Sequence, residues 1–417
     1  MDSRPISDTG SREVSGALSP MAVKLQTSKK YYGFLVMFLV VLSALGSFVN
    51  DMYTPALPAM CRFFGCSVPM GQMGLTMGMI GLAVGQLILG PMSDHYGRKP
   101  VLIGAMAMFI AAAIVSVFSP TIEFFVICRL FQGIGASGGY FLARTIPADV
   151  YSGRSLARLM AVVGAINGIA PASAPVLGGV TADAYGWKGV FVVLAAFALV
   201  ILAISPFMAE SLDKSRRTVG SWWKSMSGYG RLLHNRAFMV HICFKGSALG
   251  LLFAYISSSP FILQTHYGLS QTAYGFVIGF NALFVAAGSM IALKFNPLKR
   301  AARTGALILV AGVTGEAFAL YLIHNIWIYE LFMIIILFAV GMIFTTANTL
   351  AMNEGRQQAG EASSLLGTAG YVVGAIVSPL VGMGDIMHST AIVYVAVLIV
   401  IMICSQASKA LAPDLGN

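Results

Sequence analysis

"GPMSDHYGRKP", residues 90–100, stands between two long apolar stretches and packs two prolines, two glycines, an aspartate and two strongly basic residues into eleven positions. Gly90 and Gly97 permit close backbone approach and a tight turn. Asp94 is placed to accept from helix-terminal N–H groups or to pair with a cation. Arg98 and Lys99 hold the turn at a water-facing surface. The segment reads as a short basic connection between two apolar helices that leave and re-enter at one face, so the nature of those helices decides the fold.

Working outward, the apolar character does not end. The chain has 417 residues, 57% of them hydrophobic and only 10% charged, with a mean hydropathy of +0.81. Soluble domains carry about 25% charged residues, so this chain has too little polar surface to meet water and is an integral membrane protein. A membrane-crossing helix needs about 20 apolar residues. Such spans are predicted near 32–58, 70–91, 100–119, 122–144, 158–181, 188–208, 238–263, 272–294, 303–323, 327–350, 362–383 and 389–408. Gly and Pro recur inside them, as bundles in lipid tolerate.

Lys and Arg set the orientation. They gather in the N-terminal segment (Lys24, Lys29, Lys30) and after alternate spans: Arg98 and Lys99; Arg154 and Arg158; Lys214, Arg216, Arg217, Lys224, Arg231 and Arg236; Lys299, Arg300 and Arg303; Arg356. The other connections hold little beyond Arg62 and Lys188. Both termini are therefore predicted to be cytoplasmic. The net charge of +10 is dispersed over loops, with no basic domain, and is not a nucleic-acid footprint. Residues 1–20 are polar, rich in Ser and without the layout of a cleaved signal; residues 1–30 are expected to form a disordered cytoplasmic tail, and Met21 is an alternative start. Cys61 and Cys66 fall on the outer side, where an oxidising compartment could join them; two unpaired thiols are the expectation. No metal-ligand cluster appears.

The two halves resemble each other. "GIAPASAPVLGG" in the fifth span carries Pro175 and Gly178, and "GAIVSPLVGMG" in the eleventh carries Pro379 and Gly382 with the same internal spacing. Pro55 has a partner, Pro260, at nearly the same offset, and residues 288–301 form a degraded copy of 85–100. The expectation is two six-helix bundles, 31–208 and 238–408, joined by a cytoplasmic linker at 209–237 and closed by a tail at 409–417. Such repeats typically enclose a site near the bilayer midplane and work by rocking one half against the other.

Gly90, Asp94, Gly97, Arg98 and Lys99 together resemble the signature loop of the major facilitator superfamily. "RLFQGIGAS", beginning at Arg129, is similar to its intramembrane arginine motif. "APASAPVLGG", with Pro171, Pro175, Gly178 and Gly179, resembles the fifth-span motif of its antiporters, with Ala174 where a glycine is usual. That variant, with "DMYTPALP", "FAYISSSPFILQTHYGLS", "GFNAL" and "AGEASSLLGTAGYVVGAIVSPLVG", resembles the Bcr/CflA drug-efflux family, named for bicyclomycin, chloramphenicol and sulfonamide resistance. The likeness covers residues 30–408. It implies an all-α fold of twelve transmembrane helices in two pseudo-symmetric bundles, exchanging drug for proton as a monomer in a bacterial inner membrane, with no cofactor beyond the proton gradient.

Within that frame, Asp51 in "SFVNDMYTPALPAM" (47–60) matches the family's embedded carboxylate, implicated in proton and drug coupling. A carboxylate shielded from water binds protons more readily than an exposed one, which lets proton and substrate compete. The bland alternative is an aspartate capping the outer end of the first span. Arg129 is costly in lipid and is expected to face the cavity, coupled to Asp51, or else to pair structurally. Asn50, Tyr53, Tyr140, Asn167, Lys245, Tyr255, Ser259, Asn281, Asn348 and Tyr371 are candidates for the cavity wall, and each could instead bond helix to helix. Lys245 either snorkels to the inner surface or faces the cavity and shapes substrate charge. Glu316, mid-span in the ninth helix, is expected to pair with another helix or to be protonated in lipid. Arg144 and Asp149 are expected to join Arg98 and Asp94 in a cytoplasmic latch.

The function predicted is proton-coupled efflux of drug-like or amphipathic molecules. The alternatives are export of one physiological solute, such as an amino-acid derivative or siderophore, and uncoupled facilitation. No nucleophile–base pairing supports an enzyme.

Overall fold

Each apolar stretch becomes helix in the computed structural model, which describes residues 19–217, 227–356 and 359–410, and no strand occurs among them. The helices are α1 (Pro20–Thr27), α2 (Lys29–Asp51), α3 (Leu57–Phe64), α4 (Val68–Tyr96), α5 (Arg98–Val117), α6 (Ile122–Val150), α7 (Gly153–Ile204), α8 (Ser227–Leu233), α9 (Arg236–Pro260), α10 (Gln271–Ala292), α11 (Leu298–Phe318), α12 (Ile326–Glu354), α13 (Ala359–Leu380) and α14 (Ile386–Ala410). Among the described residues, 11 helical stretches are long and apolar enough to cross a membrane. One of them, Arg158–Phe207, is 50 residues long. Within it α7 turns at Gly186, whose φ of 68° and ψ of −177° belong almost exclusively to glycine. That stretch crosses twice, so the described residues make twelve traverses. The chain is an all-α membrane protein. The face where the described chain begins and ends and where Gly97 turns is called the inner face, after the orientation expected from the Lys and Arg distribution, and the opposite one the outer face.

Two sequence-based boundaries change. The first span does not end at residue 58. It breaks after Asp51, passes through a 3-10 turn at Thr54–Ala56 and resumes as α3 to Phe64. Pro55 and Pro58 sit in the first positions of these two short elements, where a missing N–H costs nothing. The 90–100 segment is not a loop either. The 29 residues of α4 rise about 43 Å, well beyond a ~30 Å hydrocarbon core, and carry Asp94 on helix. Only Gly97 turns, with φ 104°.

Part of the segment expected to be a disordered tail is helical. Residues 1–18 lie outside the described residues, but α1 buries Met21 and Leu25, and Met21 N donates to the Glu210 carbonyl at 3.1 Å. Of the 209–237 connection, residues 218–226 are outside the description. Ala209 and Leu212 are buried, and α8 forms the far end. The chain beyond Ala410 is also outside it.

The buried side chains separate into one large cluster drawn mostly from Met21–Ala209 and another from Phe244–Cys404. Each half brings two helices together through glycine. A Cβ on Gly81 of α4 would strike the Leu130 carbonyl of α6, and one on Gly133 of α6 would strike the Gly78 carbonyl of α4. In the second half Gly288 of α10 and Gly341 of α12 meet opposing carbonyls in the same way. Small residues let backbones approach in lipid, where packing rather than hydrophobicity drives association.

The halves meet where α4 packs on α13 and α7 on α10. Hydrogen bonds between them lie toward the outer face: Gln72 Nε2 to Ser257 O (3.1 Å), Thr76 Oγ1 to Ala375 O (3.4 Å), Gln264 Nε2 to Pro55 O (3.0 Å) and Thr272 N to Asp183 Oδ2 (2.9 Å). Cys61 and Cys66 are free thiols.

Candidate functional site

At the inner face, Arg98 organises the turn. Its Nε and Nη2 donate to the two oxygens of Asp149 at 2.9 and 3.2 Å, and Nη1 donates to Asp94 Oδ1 and Ser93 Oγ, each at 2.6 Å. The backbone N–H groups of Arg98 and Lys99 at the start of α5 donate to Glu210 Oε1 (2.9 Å) and Oε2 (3.2 Å), the position a carboxylate favours at a helix N-terminus. Ser211 Oγ donates to Asp149 Oδ2 at 2.8 Å, and Lys99 Nζ donates to the Pro206 carbonyl at 2.6 Å. Sequence reasoning missed Glu210 and Ser211, which lie in the linker far along the chain.

Two expectations for this latch fail. Arg144 is not part of it: its Nη2 donates to Tyr140 Oη at 2.6 Å, and the guanidinium lies 4.4 Å from that ring. A Cβ on Gly90 would meet nothing within 4 Å, so that glycine supports no close approach; Gly97 does, against Arg217 and Glu210.

Arg129 is not a cavity residue. It is fully buried and donates to Val49 O (2.8 Å), Asn50 Oδ1 (3.1 Å), Gly74 O (3.2 Å) and Gln132 Oε1 (2.7 Å), while its guanidinium stacks 4.3 Å from the Tyr53 ring. It ties α2, α4 and α6 together with neutral acceptors and an aromatic face. Asn50 and Tyr53, expected on the cavity wall, are walls of this cage instead. Among the described residues no ion pair joins Arg129 to Asp51.

Asp51 points elsewhere. It is the last residue of α2, where the helix dipole presents its negative end, so the carboxylate caps nothing there. The chain continues to Phe64, which removes the outer-end capping reading. Thr54 Oγ1 donates to the Asp51 carbonyl at 2.9 Å across the break. The side chain is buried and lies within electrostatic reach of Tyr274 on α10 and Tyr371 on α13, both from the other half.

Tyr371 also lies within electrostatic reach of Tyr140 and Arg144 of α6. Facing them, Lys245 of α9 is only 6% exposed. It donates to Asn348 Oδ1 at 2.8 Å, sits 5.0 Å from the Phe344 ring and lies within reach of Arg144. The snorkelling reading of Lys245 is thereby corrected. Asp51, Tyr140, Lys245, Asn348 and Tyr371 thus converge between the halves, with Arg144 added. Asn167 lies on α7, but its side chain is outside the described residues.

Tyr255, Ser259 and Asn281 belong to a third group, inside the C-terminal bundle. Asn281 Nδ2 donates to Tyr255 Oη and to Glu330 Oε2, each at 2.7 Å, and Ser259 Oγ pairs with Tyr274 Oη at 3.1 Å. Glu330 was not singled out from sequence, because an acid four residues into a helix reads as interfacial. Glu316 lies in this group too, fully buried inside the bundle rather than in lipid.

The fifth-span motif forms the seam. A Cβ on Gly178 would strike the Met52 carbonyl beside Asp51, and one on Gly179 would strike the Gln271 carbonyl of α10. Conversely, Gly275 and Gly279 of α10 rest on the Pro175 and Ala172 carbonyls. Pro171 lies one residue before that contact, inside α7.

This architecture has known relatives. The Major Facilitator Superfamily family model matches residues 33–379. The chain is 33% identical over 373 residues, 86% of this chain and 93% of the relative, to an uncharacterized MFS-type transporter, YdgK, of Bacillus subtilis (strain 168). It is 27% identical over 323 residues, 76% of this chain and 81% of the relative, to multidrug resistance protein MdtL of Klebsiella pneumoniae. Among solved structures it is similar to a D-xylose-proton symporter, with TM-score 0.75 and 16% identity over 92% of this chain and 98% of that one. A bacterial homolog of the human lysosomal transporter Spinster, in an inward-facing conformation, gives TM-score 0.74 and 14% identity over 93% of this chain and 100% of that one.

Proposed function

Because the chain belongs to the Major Facilitator Superfamily, and is thus a multi-pass membrane transporter rather than an enzyme, we propose that it exports drug-like, amphipathic molecules in exchange for protons. The reading places it in the Bcr/CflA branch, working as a monomer in a bacterial inner membrane with both termini cytoplasmic. Similarity to proteins named for multidrug resistance supports the substrate class.

The observation that carries the coupling is the place of Asp51. A carboxylate at a helix break, beside the glycine seam at Gly178 and against Tyr274 and Tyr371 of the opposite half, changes its surroundings whenever the halves rock. Protonation there has differential interactions with the two states, which is what a coupled ion needs in order to shift their populations. Arg129 ties α2, from which that carboxylate projects, to α4 and α6. The Arg98 latch holds the inner ends of α4, α5 and α6.

The test is a pH dye trapped in proteoliposomes under an imposed pH gradient, challenged with cationic, neutral and anionic antimicrobials. Drug-dependent proton movement in the wild type that vanishes in Asp51→Asn supports antiport through Asp51. Uphill drug movement that survives in Asp51→Asn points to a coupling group elsewhere, and drug movement without any proton movement points to a facilitator.

One observation favours a second reading. Lys245 and Arg144 face each other from opposite halves, and no carboxylate forms an ion pair with either among the described residues. A solute carrying an anionic group would relieve that repulsion. Export of one acidic or zwitterionic physiological solute is the result if only anionic compounds elicit transport.

A further inference from the structure

The C-terminal half contains a second acidic site that the Asp51 reading does not use. Glu316 of α11 is completely buried, and neither carboxylate oxygen is hydrogen-bonded to a protein group. Glu330 of α12 accepts from Asn281 through Oε2, while its Oε1 is also buried and unpartnered. The two glutamates lie within electrostatic reach of each other. Two more buried oxygens are unpartnered here: Asn281 Oδ1, and the hydroxyl of Tyr329, which lies within reach of both glutamates.

The groups that lie within reach of the pair are polar, and none of them is cationic. Tyr255 comes from α9, Tyr267 from the turn after it, Tyr274 and Asn281 from α10, Tyr329 from α12 and Tyr394 from α14. Among the described residues, neither glutamate takes part in an ion pair. Two carboxylates held together away from water cannot both stay charged without a counter-charge. The free groups on offer are oxygens, the chemistry of a hard cation's ligands rather than of a bulky organic solute.

We propose that Glu316, Glu330, Asn281 and Tyr329 form a monovalent-cation site in the outer part of the C-terminal bundle, separate from Asp51, which takes up a proton or a sodium ion. Its approach is from the outer face. The Tyr329 ring lies 6.3 Å from Tyr267, whose neighbour His266 lies 5.7 Å from His324, and both histidines are exposed. Tyr274 lies within electrostatic reach of both Glu330 and Asp51. The site does not depend on drug efflux or on Asp51 as coupling group.

The test therefore uses no transport. Full-length protein is purified in detergent, and its infrared spectrum is followed through a pH titration in choline buffer and in sodium buffer, with unfolding temperature measured in each. If the proton is the ligand, a protonated-carboxyl band persists in Asp51→Asn and disappears in Glu316→Gln and Glu330→Gln. If sodium is the ligand, sodium raises the unfolding temperature of the wild type and of Asp51→Asn, and not that of the glutamine variants. Tyr329→Phe removes one oxygen while leaving both carboxyls in place, and it shifts the band or weakens the sodium response even if a glutamine variant fails to fold. A wild type with neither response, or variants whose band and sodium response match the wild type, would overturn the site.

Discussion

Asp149 accepts two hydrogen bonds from one guanidinium, Nε of Arg98 at 2.9 Å and Nη2 at 3.2 Å, with both side chains less than a tenth exposed. The pair locks the inner end of α6 to the turn between α4 and α5, and Ser211 and Glu210 bring the linker onto the same knot. Removing one partner of a buried pair strands the other charge, at about 3–5 kcal/mol. Asp149→Asn is expected to lose stability on that scale in detergent thermal unfolding. Asp94, bonded to the same arginine but 46% exposed, is worth no more than about 1 kcal/mol, so Asp94→Asn unfolds near the wild-type temperature. Equal losses in the two variants would refute this ranking.

Arg129 predicts a different phenotype from the coupling residue it resembles in sequence. Its bonds run to the Val49 and Gly74 carbonyls, Asn50 and Gln132, all within the N-terminal bundle. Arg129→Met leaves those acceptors unpaired in a dry site, each costing about 1–3 kcal/mol. Arg129→Lys keeps the charge but cannot span the fork. Both are expected to lower the yield of folded protein and the unfolding temperature. Transport per folded molecule should fall far less than in Asp51→Asn; a stable Arg129→Lys protein with abolished coupling would contradict the cage.

Glycine offers a paired control. Gly133→Val drives a side chain into the Gly78 carbonyl and forces α4 from α6, with overpacking costs of about 1–3 kcal/mol or more. Gly90→Ala meets open space on a helix and is expected to be neutral or stabilising by up to about 1 kcal/mol. Circular-dichroism melts of the two variants decide it, and an unfolded Gly90→Ala would show that close approach at Gly90 was read correctly from sequence.

Those contrasts show where sequence was legible. The spans were, because lipid forces every crossing segment to be long, apolar and helical, and the Arg98–Asp94 turn was, because its residues lie within one short segment. What a buried polar group meets was not. Helical periodicity says that Arg129 shares a face with Gly133 and nothing about the Val49 and Gly74 carbonyls on two other helices. Glu330 reads as a helix-start acid until Asn281, from the preceding helix pair, is placed against it. The end of the first span was misjudged because Asp51 and Pro55 mark a break inside a helix as readily as its terminus.

Lys245 carries the last prediction. Its ammonium is held between the halves by Asn348 and the Phe344 ring, close to Arg144. Lys245→Met keeps a long flexible stem and removes one positive charge from the surface a solute meets. An anionic compound then loses a partner, and a cationic one loses a repulsion. A tenfold fall in kcat/KM for anions corresponds to about 1.4 kcal/mol, well within the worth of a charge-assisted hydrogen bond. Transport by Lys245→Met should therefore fall at least several-fold for anionic compounds, hold for neutral ones and hold or rise for cationic ones. The panel is measured by uptake into proteoliposomes at matched protein content. A uniform fall across all three charges would mark Lys245 as a packing residue and leave the solute's charge to be set by Asp51 alone.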